Sequence, residues 1–248
     1  MAIVIKNQLQ IEKMRKAGVL VKGAFDLLAG AIAEGVTTRE LDGIVAGYFK
    51  SQGATASFKG YRGYPASICA SINDEVIHGI PGTRRLRAGD IVSIDIGACF
   101  DGFHGDAART FCVGDVSDEA RRLADTTEKS FFAGMQYARA GYFLHEISAA
   151  IQEYVEQQGF SVVRNFIGHG IGADLHEDPE IPNYRQKNKG PRLVPGMTLA
   201  IEPMVNAGTY EVEVLEDDWT VVTADGSLSA HYENTVLITE GAPEILTL

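Results

Sequence analysis

The sequence predicts an α+β domain of two pseudo-symmetric halves, about 1–114 and 115–248, each a pair of helices leading into strands of a shared antiparallel sheet. Three observations carry that expectation: a hairpin with two acids on one face, a helix–helix–strand order that occurs twice, and an acid at the same place in both copies. Ile91 to Phe100 is apolar and β-branched, as a buried strand requires, and Asp101-Gly102 is the dipeptide that a two-residue hairpin turn prefers. Folding there sets Phe100 opposite Phe103, Cys99 opposite His104, Ala98 opposite Gly105 and Gly97 opposite Asp106. Asp95 and Asp106 then emerge on one face as diagonal neighbours, about 7–8 Å apart at the backbone, with Gly97 leaving the space between them open. Two acids converging on an apolar surface repel each other and resist desolvation, so they call for a cation. The plainer alternative is a pair of solvated acids on a sheet rim.

The duplicated order is legible in the helices. Asn7 caps a helix running to about Ala33, with Ile11, Met14, Gly18, Val21, Phe25 and Leu28 on one face. Thr37-Thr38-Arg39-Glu40 has capping-box spacing for a second helix that buries Leu41, Ile44, Val45, Tyr48 and Phe49 and stops at Gly53. A Gly- and Tyr-rich loop (Phe58 to Pro65), a strand (Ser67 to Ile72) and the hairpin follow. In the second half Ser117 caps a helix to about Arg139, and another spans about Leu144 to Gln158. Glu40-Leu41 falls on Glu146-Ile147 at an offset of 106, which sets Val45 on Ile151, Tyr48 on Tyr154, Phe49 on Val155 and Gly53 on Gly159. Leu86-Arg87-Ala88-Gly89 ahead of Asp95 matches Leu193-Val194-Pro195-Gly196 ahead of Glu202 at an offset of 107. Two copies are too few for a solenoid and fit one sheet beneath a layer of helices.

The repeat strengthens the cation hypothesis, because Asp95 falls on Glu202. Ser229 to Val236 reads as a further strand, with Glu233 among residues that should be buried, where a glutamate needs a partner or a metal. Of the six histidines, His78 and His169 lie in related phrases, Ile77-His78-Gly79-Ile80 and Gly168-His169-Gly170-Ile171-Gly172, and His176 follows in Leu175-His176-Glu177. His169, between glycines and ahead of Glu202, is the best ligand candidate; His104 and His145 are assigned structural places and His231 a place behind the ligands. Four carboxylates (Asp95, Asp106, Glu202, Glu233) and one neutral imidazole are balanced by two divalent cations rather than one. Oxygen donors with one nitrogen and no thiolate suit Mn²⁺, Fe²⁺ or Co²⁺ at least as well as Zn²⁺.

Composition bounds the rest. The 248 residues are 45% hydrophobic and 22% charged, enough for a sizeable core. A net charge of −11 argues against nucleic acid or an anionic membrane as a partner. Three scattered cysteines make neither a disulfide framework nor a zinc knuckle. With no signal-peptide pattern and no apolar run of about 20 residues, a soluble cytoplasmic protein is expected.

These residues and their surroundings resemble the type I methionine aminopeptidases, of the creatinase-like or "pita-bread" fold. The likeness runs from Lys13-Met14-Arg15-Lys16-Ala17-Gly18 through Gly60-Tyr61-Arg62-Gly63-Tyr64-Pro65, Asn73-Asp74-Glu75-Val76-Ile77-His78-Gly79-Ile80-Pro81 and Asp95-Ile96-Gly97. It continues through Asp101-Gly102-Phe103-His104-Gly105-Asp106-Ala107-Ala108-Arg109-Thr110-Phe111, Gly168-His169-Gly170-Ile171-Gly172 and Ile201-Glu202-Pro203-Met204 to Tyr232-Glu233-Asn234-Thr235.

The resemblance implies a single catalytic domain that excises the N-terminal methionine of nascent polypeptides when the second residue is small, by metal-activated attack of water on the first peptide bond. It implies that Asp95 holds one metal, His169 and Glu202 the other, and that Asp106 and Glu233 bridge the two. By the same likeness the substrate's free amine coordinates a metal. Glu202 acts as general base, His176 steadies the oxyanion, and His78 assists proton transfer at the scissile amide. The methionine side chain is expected among Phe58, Tyr61, Tyr64, Cys69, Leu175 and Trp219, where aromatic and sulfur-bearing walls favour a thioether. Leu175 departs from the aromatic residue that many members carry. The chain resembles the minimal bacterial form, lacking the long N-terminal extension of eukaryotic members and the helical insertion of type II. A monomer is expected, with the ribosome as a candidate contact. Two rival activities share the fold. Proline-directed peptidases usually carry a large extra N-terminal domain, which this chain is not expected to have. Non-catalytic peptide-binding modules typically lose the ligands that this chain keeps.

Overall fold

The structure, a computed structural model, describes residues 2–248. The described residues form four α-helices, the first three starting where the capping signals place them and the fourth within the expected span: α1 (Gln8–Ala31), α2 (Thr38–Ser51), α3 (Asp118–Met135) and α4 (Leu144–Gln157). Asn7 caps α1 and closes a full capping box with Gln10, and all six residues expected on its inner face are buried. Thr37 and Glu40 form the second box, in which the Glu40 carboxylate accepts the Thr37 amide at 2.8 Å. Leu41, Val45 and Phe49 of α2 are buried, whereas Ile44 and Tyr48 are half-buried at its flanks. α3 stops four residues before the expected Arg139. Beyond Met135 the chain closes into tight turns that carry the Gly141 amide to the Leu193 carbonyl.

The duplication is visible in the hydrogen bonds. Leu86 donates to the Val36 carbonyl and Leu193 to the Tyr142 carbonyl, both at 2.8 Å. Gly35 and Gly141 return the bond, and isolated bridges join Thr37 to Arg85 and Phe143 to Arg192. Each helix pair is thereby tied at the same point to the turn that launches its strand.

Every strand pairing is antiparallel. In the first half Ile91–Phe100 pairs with Thr55–Ala56, Ile68–Ile72 and Phe103–Cys112. In the second half the order is Glu244–Ile245, Asn234–Leu237, Thr198–Ile201, Gly168–Gly170, Glu177–Ile181. Two smaller three-stranded sheets flank them: Ser229–His231 with Met204–Asn206 and Ser161–Val162, and Val212–Val214 with Val221–Thr223 and Glu75–Ile77. The halves join along Phe103–Cys112, where the Asp106 amide donates to Thr235 Oγ1 and Glu233 and Ala108 exchange backbone bonds. Phe25, Leu28, Leu41, Val45 and Phe49 cover one half-sheet through Ile68, Ile94 and Ile96. Phe131, Ile147 and Ile151 cover the other through Leu199, Ile201 and Val236. The α+β architecture of paired halves is therefore as expected.

One strand differs from expectation. Ser229 to Val236 is not continuous: it breaks at Tyr232-Glu233 into Ser229–His231 and Asn234–Leu237. The Tyr232 amide turns to the Pro203 carbonyl and the Glu233 amide to Ala108, so the two pieces serve different sheets. No helix among the described residues is long and apolar enough to cross a membrane.

The close approach of α1 to the sheet is testable. A Cβ at Gly18 would run into the Leu246 carbonyl, whereas one at Gly47 in α2 meets open space. Gly18→Ala is expected to destabilise by about 1–3 kcal/mol and Gly47→Ala to stabilise by roughly 0.5–1 kcal/mol, read as opposite shifts of the urea midpoint.

Candidate metal centre

The hairpin forms in the expected register, with Gly97 opposite Asp106 and Phe100 opposite Phe103. Asp101 and Gly102 both take positive φ, 50° and 76°, the geometry of a two-residue turn that matches strand twist. The space at Gly97 is not left open, however. A Cβ there would lie 2.7 Å from Ser57 Cβ and 2.8 Å from Phe58 Cε1, so the missing side chain admits the Ser57-Phe58 segment against the hairpin.

Asp95 and Asp106 rise from this hairpin, and three further donors meet them from the second half. His169 sits on Gly168–Gly170, between Thr198–Ile201 and Glu177–Ile181; Glu202 follows Thr198–Ile201, and Glu233 lies at the break between Ser229–His231 and Asn234–Leu237. Ligand atoms of Asp106, His169 and Glu233 lie within 4.8 Å of one another, and His169 Nε2 is 3.6 Å from Glu202 Oε1. Asp106 is 3% exposed and Glu233 2%. Asp95 Oδ1, Asp106 Oδ1 and Glu233 Oε1 are buried without a hydrogen-bond partner among the described residues, which few native structures tolerate unless an ion completes the site.

The electrostatics point the same way. Burial holds Asp95, Glu202 and Glu233 well above the usual carboxylate range, and their mutual repulsion adds to it. Burial likewise pushes Asp106 up to about 7. Without cations the four cannot all ionise; with divalent cations they can. Cys69 is the register partner of Asp95, but burial and then the Asp95 charge raise its thiol, so it offers no thiolate. The donor set is four carboxylates and one imidazole, and it fits a hard or borderline divalent ion.

The imidazoles are prepared by their surroundings. His169 Nδ1 lies 2.9 Å from the Gly170 carbonyl, which fixes the proton there and leaves the Nε2 lone pair facing the acids. Burial, with His176 beside it, lowers its pKa to about 3, so it is neutral at neutral pH. The His176 ring lies 4.1 Å from that of His169 and stacks on Tyr61 at 5.1 Å. His78 packs edge-on to Trp219 and Phe166 with φ of 61°, a strained conformation for a residue with a β-carbon. Burial lowers both His78 and His176 to about 4. His231 Nε2 stands 3.9 Å from both Glu202 and Glu233, directly behind the ligands. His104 bonds Ser57 Oγ at 2.8 Å, and His145, half-buried at the start of α4, lies 3.0 Å from the Lys189 carbonyl and outside the cavity.

One cavity of about 660 Å³, counted to its open mouth, is lined by all thirteen residues that the sequence singled out. The acids and His169 form its polar end. Phe58, Tyr61, Tyr64, Cys69, Leu175 and Trp219 form its apolar walls, with the Tyr64 and Trp219 rings 5.0 Å apart. Three contributors went unread in the sequence. Arg62 lines the same cavity; it stands between two tyrosines in a phrase that reads as plain loop. Arg109 fastens the broken strand by donating to the Glu233 carbonyl and to Asn234 Oδ1. A buried ion pair between Lys6 and Glu177 anchors the loop that carries His176, and nothing local marks it.

Residues 12–240 match the model of metallopeptidase family M24. The chain belongs to this family. A methionine aminopeptidase of Clostridium perfringens is 56% identical over 246 residues, 99% of each chain. The crystal structure of methionine aminopeptidase from Rickettsia prowazekii superposes with a TM-score of 0.97 at 40% identity, covering each chain fully. A Xaa-Pro dipeptidase from Bacillus anthracis shares the fold alone, at 23% identity and a TM-score of 0.78 over 61% of its length. The M24 member described here thus has the pita-bread fold, and divalent-metal binding accounts for its cluster of buried acids.

The metal-free protein should show this burden in its pH dependence. The four carboxylates ionise less readily folded than unfolded, so they cost stability as pH rises toward and past 7. The buried imidazoles act in the opposite sense, but their contribution is complete above the unfolded histidine value of about 6.5. The metal-free Tm is therefore expected to fall between about pH 6.5 and 8, and saturating Mn²⁺ to abolish the fall, in scanning calorimetry. A metal-free Tm that rises across that window would contradict the clustering.

Proposed function

We propose that this chain is a metalloaminopeptidase that removes methionine from the N-termini of nascent polypeptides whose second residue is small. The observation that carries the proposal is the convergence of five metal-binding side chains at one end of a cavity whose other walls are aromatic, aliphatic and thiol. The two halves act as one catalytic unit, because Asp95 and Asp106 come from the first and His169, Glu202 and Glu233 from the second. Charge balance over four carboxylates favours two divalent cations from among Mn²⁺, Fe²⁺, Co²⁺ and Zn²⁺; by the family resemblance Asp95 would hold one, His169 and Glu202 would hold the other, and Asp106 and Glu233 would serve both. When bound, such ions supply Lewis acidity that lowers the pKa of water and polarises a carbonyl.

The protein's own groups do the remainder. The walls around Phe58, Tyr61, Tyr64, Cys69, Leu175 and Trp219 take the methionine side chain and exclude water, and Leu175 leaves the thioether more room than an aromatic ring would. Glu202 Oε accepts the proton lost by the attacking water; burial keeps this carboxylate basic enough to do so. His176, neutral and held between Tyr61 and His169, donates an N–H to the oxygen on which negative charge develops. His78, fixed by Trp219 and Phe166, hydrogen-bonds the scissile amide and helps pass a proton to the departing amine.

With Mn²⁺ or Co²⁺ supplied, methionine should be released from a Met-Gly-Met peptide and only from sites followed by small residues; turnover confined to a Met-Pro peptide would indicate a proline-directed peptidase, and no turnover with any metal a binding module. Glu202→Ala and His169→Ala are each expected to lower kcat by more than about a thousandfold, since each removes a donor from the site. Near-normal rates in either would refute the ligand set. His78→Ala should lower kcat by about a hundredfold with metal stoichiometry retained, measured by calorimetric titration. Lost stoichiometry would move His78 into the coordination sphere.

A further inference from the structure

Arg62 is the single cation among the described side chains that line the cavity. It is exposed, so it stands at the mouth rather than among the acids. Its backbone is left-handed, with φ of 49°, inside a short turn (Tyr61–Gly63) that Gly60 and Gly63 bracket at φ of 87° and 91°. A residue with a β-carbon is uncommon there, so the turn holds this side chain where a glycine would fit more easily. The guanidinium lies over the Tyr61 ring at 5.4 Å, and Tyr61 stacks on His176. The cation is thus seated on the wall that carries an imidazole of the proposed machinery.

Its charge meets no carboxylate among the described residues. Half-buried Arg15 and exposed Arg84 meet carboxylates at 2.6 Å and 2.8 Å, whereas Arg62, like most of the arginines, has no acid paired with it among the described residues. The four acids at the inner end are balanced once two divalent cations are bound, which leaves the guanidinium as the net charge of the cleft. A peptide whose first side chain fills the apolar walls must send its later residues out past this rim.

We propose that Arg62 is a carboxylate-binding subsite for the part of the substrate that follows the scissile bond. The proposal rests on the aminopeptidase reading and deepens it, giving the enzyme a preference for an acidic residue, or a free chain terminus, a short distance downstream. A guanidinium suits the task, because its planar fork accepts a carboxylate with two parallel bonds, and seating on an aromatic face limits the freedom lost on binding. The pair forms at a wet rim, so the gain is modest and salt-sensitive, about three- to tenfold at low ionic strength.

The test compares kcat/KM of the Mn²⁺-loaded enzyme for Met-Ala-X-Ala amides with X as Asp, Asn or Lys, and for the Asn peptide with a free C-terminus. The Asp amide or the free acid is expected to exceed the Asn amide by that factor. Arg62→Gln should bring the ratio to about one, and Arg62→Glu should reverse it in favour of Lys. Gain in the Asp amide assigns the site to a side chain, and gain in the free acid to a chain terminus. Ratios unchanged by both substitutions overturn the subsite. Analogues with a reduced first peptide bond, titrated against the fluorescence of the single tryptophan, Trp219, give the same preference as a ratio of Kd values. Absence of hydrolysis would then count against the aminopeptidase, while equal Kd values for Asp and Asn analogues would count against Arg62.

Discussion

Four carboxylates held within one water-poor space are the constraint on which this molecule depends. Each oxygen without a partner there is a liability, and the chain accumulates several: Asp95 Oδ1, Asp106 Oδ1 and Glu233 Oε1. Such a cluster can ionise fully only when opposite charge is brought to it, so a divalent-metal site is as much a part of the interior as any apolar side chain. The half-sheets, the helices covering them and the joint along Phe103–Cys112 place the acids together in spite of their repulsion.

The duplication explains how the joint acquires its donors. Leu86 and Leu193 tie each helix pair to a turn, and Asp95 and Glu202 follow at equivalent positions. The copies diverge immediately afterwards. Ile96-Gly97 lets the first strand run on into a hairpin that returns with Asp106. Pro203 has no amide to give a ladder, so the second strand ends at Ile201 and the chain changes sheet with Glu202 at the corner. Glu233 occupies a matching corner, held by Ala108 and Arg109. Acids at the corners of broken strands are aimed by backbone bonds on both sides, which fixes a carboxylate more firmly than a flexible side chain can fix itself.

Around this centre the imidazoles are kept neutral by burial, and a carbonyl sets the tautomer of His169. Neutral rings can serve as ligands or as N–H donors, roles that protonated rings beside cations could not share. The apolar walls give the cavity a dry end and Arg62 gives it a charged rim. The cavity therefore has two separable parts, an apolar interior and a charged rim.

The sequence by itself determined the local pieces, because their causes are local. Asp101-Gly102 fixed the hairpin and its register, Thr37 and Glu40 fixed the start of α2, and the offset of 106 to 107 residues disclosed two halves with an acid in each. The acids and histidines that line the cavity were legible for the same reason, being conspicuous among glycines and apolar residues wherever they occur, whereas its apolar walls were legible only through the family resemblance. Tertiary structure alone decided what depends on residues distant along the chain. The break at Tyr232-Glu233 arises from competition between two sheets for the same backbone. The space at Gly97 is taken by Ser57 and Phe58, Lys6 meets Glu177 across more than half the chain, and Arg62 becomes the one cation at the mouth among the described residues. Pattern reports which groups need partners; only packing, by which long-range contacts compete for the same space, settles which partners they receive.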